Sequence, residues 1–197
     1  GIPPAVVLVL GAGALGTAAA HACIGAGAQV MVLDRNPEKL GLLHRELGGR
    51  IITSISTKQN ILKGMEFANV VIGAAALAGR KTPLLITRDM LKRMRPKSIF
   101  MDLSIDLGGV SETSRPTTFN NPTFVDEGII HYCVPNIPSN VARTATQALN
   151  NALLPHILLL AEKGYNQAMV DSAVVRNGTY IHMGNFLKPW IKDYFQI

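Results

Sequence analysis

Residues Ala5–Leu10 (AVVLVL) run straight into Gly11-Ala12-Gly13-Ala14-Leu15-Gly16, and an alanine-rich stretch follows over Ala14–Ile24. The first run is apolar at every position, so a strand formed there must be buried on both faces. That is the condition of a parallel sheet covered by helices on each side. The next stretch has helix-forming composition and ends at Gly25 and Gly27, as helices commonly do. Between them lies the spacing G-x-G-x-x-G. Its glycines allow a tight turn, close approach of backbone to a ligand, and close packing of helix on strand. Few architectures accommodate strand, glycine turn and helix in that order.

The rest of the chain repeats the alternation. Short apolar runs predict strands at Gln29–Leu33, Arg50–Ser54, Asn69–Gly73, Ser98–Leu103 and Ile129–Val134. A helix starts at Asn36-Pro37 and runs to about Leu47. Thr87–Met94 has helical spacing and stops before Arg95-Pro96, and a long amphipathic pattern spans Ser139–Lys163 before Gly164. Strands alternating with helices imply right-handed crossovers and an α/β fold with a doubly wound parallel sheet, the Rossmann arrangement. The expected organisation is a sheet domain over residues 1–164 and a C-terminal helical extension over 165–197. The start, Gly1-Ile2-Pro3-Pro4, reads as the tail of a linker, and a longer natural protein is expected.

In such a fold the glycine turn and the N-terminus of the next helix offer free N–H groups and a positive dipole end to a pyrophosphate. Gly11, Gly13, Ala14, Leu15 and Gly16 are therefore cofactor-binding candidates. Asp34 closes the second strand 18 residues after Gly16, where a carboxylate accepts hydrogen bonds from both ribose hydroxyls. The same charge repels a 2′-phosphate, which favours NAD over NADP. Arg35, the next residue, pulls the other way, because an arginine there can receive that phosphate.

Composition excludes several classes. No apolar run reaches the roughly 18–20 residues of a membrane helix, and no signal-peptide pattern is present, so no membrane insertion is expected. The two cysteines, Cys23 and Cys133, lie far apart, which suits a reducing cytoplasm rather than a disulfide framework. No two of the five histidines show metal-ligand spacing, so no metal is expected. The net charge of +6 owes much to Arg80, Lys81, Arg88, Lys92, Arg93, Arg95 and Lys97. With no interleaved aromatics these read as a solvated helix surface rather than a nucleic-acid footprint.

Ligands in doubly wound sheets bind beyond the carboxyl ends of the strands. Three segments converge there: Gly73–Pro83, Asp102–Arg115 and Val134–Pro138. Asp106 precedes Gly108-Gly109, which let backbone approach a ligand, and Asn136 stands between Pro135 and Pro138. Both fit functional roles, and both residue types also cap turns, so the residues alone leave the two readings open. The stretch Ser111–Thr118 has no His or Lys placed to activate a hydroxyl and reads as a polar loop.

Longer motifs carry a resemblance. Asp102-Leu-Ser-Ile-Asp106-Leu-Gly-Gly109, Glu112-Thr-Ser-Arg-Pro-Thr-Thr118 and His131-Tyr-Cys-Val-Pro-Asn136-Ile-Pro138 resemble the NAD-binding half of alanine dehydrogenase. The wider group includes the nucleotide-binding subunit of proton-translocating transhydrogenase. The similarity runs in register from about Pro3 to Asn185, and Thr144–Pro155 is closer to alanine dehydrogenase. The resemblance implies oxidative deamination of L-alanine to pyruvate and ammonium, with hydride passing to NAD. It implies a catalytic Asp106 beside nicotinamide and substrate nitrogen, and Asn136 close by. It also implies that Ala14 and Leu15 contact the pyrophosphate, Asp34 and Lys39 the adenosine ribose, and Ser56 the adenine side. Ala75, Leu77, Leu103, Val134 and Ile137 would line the nicotinamide and its ribose.

Four departures bear on substrate. Leu107 replaces a usual Gln, and Ala78-Gly79-Arg80-Lys81-Thr82-Pro83 replaces Pro-Gly-Ala-Lys-Ala-Pro. Ile137 stands for a common Met and Pro135 for a small residue. The resemblance further implies a small amino-acid or oxo-acid substrate held by a separate N-terminal domain, which supplies an Arg, a Lys and a catalytic His. It also implies a homo-oligomer. The expectation is a chain that binds NAD and does not turn over alanine alone. The alternatives are a transhydrogenase subunit and a stand-alone NAD-binding module without catalysis.

Overall fold

The computed structural model describes residues 1–76 and 81–195, the last three without side chains. Its main sheet has seven strands in the order β3-β2-β1-β4-β5-β7-β6. They are β1 (Val6–Leu10), β2 (Gln29–Asp34), β3 (Ile51–Ile55), β4 (Val70–Gly73), β5 (Ile99–Asp102), β6 (Thr123–Asp126) and β7 (Ile129–Tyr132). All pair in parallel except β6, which runs antiparallel to β7. The chain winds outward from β1 to β3, returns to β4 on the other side of β1, and winds outward again. The strand order therefore reverses between β1 and β4, where a crevice opens beyond the carboxyl ends of the strands.

The all-apolar sequence of β1 has the expected cause. Leu8 and Leu10 enter a core with Leu33, Met65 and Phe100. Val7 and Val9 enter a second core with Val30, Val32, Leu40 and Leu43. Alternate residues thus face opposite layers, and each fully buried side chain of this size contributes about 1.5–3 kcal/mol. Helices α1 (Ala14–Gly25), α2 (Pro37–Glu46) and α3 (Lys58–Phe67) supply much of the cover. Asn36 caps α2 by accepting from the N–H groups of Glu38 and Lys39, with Pro37 at the first helical position.

Besides the small hairpin of Ile181–His182 and Asn185–Phe186, two elements among the strands and α-helices of the main sheet domain went unread in the sequence. One is α3, whose buried positions reduce to Ile61, Gly64 and Met65, too narrow a stripe to stand out. The other is β6, tied to β7 by Glu127 and Gly128, both at positive φ (49° and 73°). A two-residue turn with two positive φ values suits a tight hairpin, and Glu-Gly is a weak signal for it. The predicted helix at Thr87–Met94 shortens to α4 (Arg88–Leu91). Arg88 pairs with Asp126 and Glu127, Lys92 with Asp89, and Arg93 with Glu66. Part of the basic cluster is thus neutralised by nearby carboxylates.

The chain forms two compact units, Gly1–Ile137 and Pro138–Ile197. The second holds α5 (Ala142–Asp171), α6 (Ala173–Gly178), a small hairpin of β8 (Ile181–His182) and β9 (Asn185–Phe186), and α7 (Trp190–Phe195). The long helix packs against α6. Gly164, where the sequence pattern ends, has φ 72° and ψ 167° and interrupts the helix. Tyr165 stacks on His182, with ring centroids 4.1 Å apart. No helix among the described residues is long and apolar enough to cross a membrane.

Candidate functional site

A cleft of about 780 Å³ opens at the reversal point in the first unit. Its floor is the glycine turn. Gly11 has φ +115°, and a Cβ there would lie 2.5 Å from the Ala74 carbonyl oxygen. A Cβ on Gly16 would lie 1.9 Å from the Gly11 carbonyl oxygen, so α1 packs on the turn at a distance that only glycine permits. Gly13 differs: among the described residues a Cβ there would meet nothing within 4 Å. The backbone at Gly13 is bare toward the cleft, at the N-cap of α1, and the first turn of that helix contains no acidic residue. A ligand's negative charge is favoured at such a helix end.

Asp34 stands beside this floor. Its carboxylate accepts from the Ala12 N–H at 2.6 Å and the Asn36 N–H at 2.8 Å. One strand-end acid thereby fixes both the glycine turn and the start of α2. The carboxylate remains at the cleft surface, with Arg35, Asn36, Lys39 and Ser56 on the same rim. The Ser56 N–H donates to the Asp34 carbonyl at 2.9 Å, which ties the β3 end to the β2 end.

The opposite end of the cleft is lined by Ala74, Ala75, Ala76, Pro83, Leu85, Leu103, Ser104, Asp106 and Leu107. Segment 82–86 lies against the 107–112 loop through backbone bonds. The N–H of Thr82 donates to Leu107 O, and the N–H groups of Leu85 and Ile86 both donate to Val110 O. Asp106 is exposed on a 3₁₀ turn, and both its carboxylate oxygens accept from the Asn136 N–H, at 3.0 and 3.2 Å. Asn136 adopts φ 49°, one of four non-glycine residues at positive φ among those described.

Of the residues expected to hold a cofactor, Gly11, Gly13, Ala14, Leu15, Asp34, Arg35, Lys39, Ser56, Ala75 and Leu103 line this one cleft, together with Asp106. Gly16 lies beneath it as packing. Val134 is buried at 1% exposure and Ile137 is half-buried; with the exposed Asn136 they stand outside the lining. Leu77 lies outside the described residues.

Sequence reasoning passed over the residues that shape this end of the cleft. Asp102 is fully buried at the end of β5. One carboxylate oxygen accepts from the Ser104 N–H at 3.0 Å, the other from the Val110 N–H at 2.8 Å and from the Ser114 hydroxyl. Burial pushes its carboxyl above the ordinary range, against the lowering effect of those hydrogen bonds. Gly108 and Gly109 do sit at positive φ, but they make room for the chain itself rather than for a ligand. A Cβ on Gly108 would meet the Lys81 side chain at 3.1 Å, and one on Gly109 the Asp102 carboxylate at 2.7 Å. The stretch read as a polar loop buries two of its residues, Ser111 and Thr113. Ser111, Thr113 and His131 form a buried chain, with Thr113 Oγ1 2.8 Å from His131 Nε2. The other ring nitrogen lies 2.9 Å from the Ile129 carbonyl and must donate to it, so Nε2 of the neutral ring accepts from Thr113. Burial depresses this imidazole's affinity for protons. The Cys133 thiol is pushed up to about 11, by burial first and then by the neighbouring Asp102 charge, which makes it a poor nucleophile.

With this geometry in view, comparison with known proteins is decisive. Residues 1–189 match the family model for the alanine dehydrogenase/PNT C-terminal domain. The chain belongs to this family. It is 44% identical over 195 residues to an alanine dehydrogenase of Halomonas elongata, covering 99% of this chain and 53% of that protein. It is 39% identical to alanine dehydrogenase 2 of Staphylococcus aureus, covering 100% of this chain and 53% of that one. Among solved structures, an L-alanine dehydrogenase superposes with a TM-score of 0.86 at 35% identity, over 99% of this chain and 54% of that chain. A transhydrogenase from Sinorhizobium meliloti shares the fold, with a TM-score of 0.74 at 24% identity over 95% of this chain and 51% of its own. The chain spans about half the length of the curated relatives it matches. The Rossmann fold expected from the strand–glycine–helix pattern is the one found.

Proposed function

We propose that this chain is the NAD(H)-binding half of an alanine-dehydrogenase-type oxidoreductase, which converts L-alanine, NAD⁺ and water to pyruvate, ammonium, NADH and a proton. The observation that carries the reading is one continuous cleft with a bare glycine backbone and helix N-terminus in its floor, a strand-end carboxylate on one rim and an exposed aspartate at the far end. The residues suit the cofactor. Gly13 leaves space where a pyrophosphate needs it, and Asp34 is held by backbone N–H groups with its carboxylate at the cleft surface.

In this reading the N–H groups of Ala14 and Leu15 hold the pyrophosphate, Asp34 and Lys39 the adenosine ribose, and Ser56 the adenine side. The apolar far end, with Ala75 and Leu103, receives the nicotinamide, and Asn136, Val134 and Ile137 support it from behind. When bound, NAD⁺ supplies the hydride acceptor. Asp106 accepts a hydrogen bond from the substrate nitrogen, oriented by the Asn136 N–H. The substrate carboxylate is held by a separate substrate domain of the full-length protein. The proposed setting is a cytoplasmic homo-oligomer. Exposed Leu149, Leu153, Leu154, Ile157 and Leu158 on α5 support a surface that assembly would cover.

The test is complementation. The chain alone should bind NADH yet yield no alanine-dependent NADH, and activity should appear when a substrate domain is added back. Turnover of alanine by the chain alone would contradict the division of labour. Failure of the cofactor to bind would remove the reading altogether.

A further inference from the structure

We propose that Asp102 is a positioning residue: its buried carboxylate gathers the Leu103–Ser114 loop around itself and thereby sets where Asp106 stands in the cleft. This deepens the proposed function and rests on its placing of nicotinamide at the Asp106 end.

Three donors meet this one carboxylate, from Ser104, Val110 and Ser114. Two flank the Asp106 turn closely, and the third closes the loop twelve residues beyond Asp102. Among the described residues no basic side chain bonds the carboxylate, and the partners found there are the loop's own polar groups. Space is reserved for it on two sides. A Cβ on Gly109 would lie 2.7 Å from one carboxylate oxygen, and a Cβ on Gly73 3.3 Å from the other. Ser104 is shared between this knot and the cleft wall, because its hydroxyl donates to Ala75 O at 2.7 Å. Within this loop stands Asp106, whose carboxylate accepts from the Asn136 N–H. The Ser104 carbonyl in turn accepts from the N–H groups of Leu107 and Gly109, so the turn that carries Asp106 is tied to a residue the buried acid holds.

Two of the three donors are backbone N–H groups, which cannot become acceptors. In Asp102→Asn the amide nitrogen must face one of them whichever way the side chain turns. The variant therefore keeps the volume and breaks the knot. The adenosine end of the cleft, built on β1, β2 and α1, does not touch it.

The experiment measures dissociation constants of ADP-ribose and NADH for the chain and its Asp102→Asn variant. The two ligands share the adenosine and pyrophosphate and differ by the nicotinamide. We expect ADP-ribose binding unchanged within about twofold and NADH weakened roughly tenfold, the loss of one or two well-placed bonds. Equal weakening of both ligands would make Asp102 merely structural and overturn the proposal, as would no change in either. If Asp102→Asn does not fold, Ser114→Ala decides, with the same split at about threefold and the same two overturning outcomes. If the unsubstituted chain binds NADH no better than ADP-ribose, the nicotinamide reading itself fails, a result separate from any effect of the variants.

Discussion

Two aspartates end parallel strands in this molecule and behave oppositely. Asp34 closes β2 at the surface of the cleft and keeps its carboxylate available while two backbone N–H groups fix it. Asp102 closes β5 in full burial, with three donors from its own loop. The first acid faces outward to the cleft, and the second faces inward to the chain. On the proposed function, the same residue type at equivalent places in the fold reads a cofactor in one case and builds a wall in the other. Exposure and the source of the donors tell them apart.

The glycines on the Asp34 side offer the largest expected effect. Gly16→Ala forces a methyl against the Gly11 carbonyl, so unfolding free energy should fall by about 3 kcal/mol with NADH binding lost. Gly13→Ala should leave the denaturation midpoint nearly unchanged while weakening NADH, since its Cβ meets only open space. Equal stability losses at the two positions would break the account of the turn.

Next come the acids themselves. Asp102→Asn should cost about 2 kcal/mol of stability in chemical denaturation, because a buried donor is left unpaired. Asp34→Asn should cost less, about 1 kcal/mol, and instead weaken NADH roughly thirtyfold, equivalent to ~2 kcal/mol. The reverse ranking in either measurement would contradict the inward and outward assignment.

A smaller effect is expected from His131, part of the same buried wall. Its folded-state proton affinity is depressed by burial, so its contribution to stability is present above the unfolded value of 6.5 and declines as pH falls below it. The slope from this one site is at most about 1.4 kcal/mol per pH unit. Urea unfolding of the chain and of His131→Gln between neutral and mildly acid pH should show the variant with the flatter dependence. Smallest of all should be Arg88→Ala and Lys92→Ala on the exposed ion pairs, with any shift in Tm disappearing in added salt.

The same contrast explains what could be read in the sequence. The Asp34 side is local: strand, glycine turn, helix and acid lie within Ala5–Asp34, and Gly11 and Gly16 have steric reasons recognisable from their spacing. The apolar runs of β1 and β4 were equally plain, because central parallel strands covered on both faces leave few polar positions. The Asp102 side is assembled across the chain. Its parts come from Gly73, Ser104, Gly109 and Ser114, and a buried carboxylate satisfied by loop N–H groups looks in sequence like any strand-end aspartate. Thr113 and His131 are 18 residues apart and meet only because β7 pairs with β5. Strand β6 and helix α3 escaped for a related reason: their short patterns acquire meaning only from their neighbours.

The most direct test of the central claim is a fluorescence titration of the chain with NADH and, separately, with NADPH, using Trp190 and the nicotinamide as signals. Saturable NADH binding is predicted, with NADPH at least ~100-fold weaker, about 2.7 kcal/mol, because the Asp34 carboxylate occupies the ground a 2′-phosphate would need. Equal affinity for the two, or binding of NADPH alone, would contradict the claim that Asp34 reads the ribose and would shift that role to Arg35.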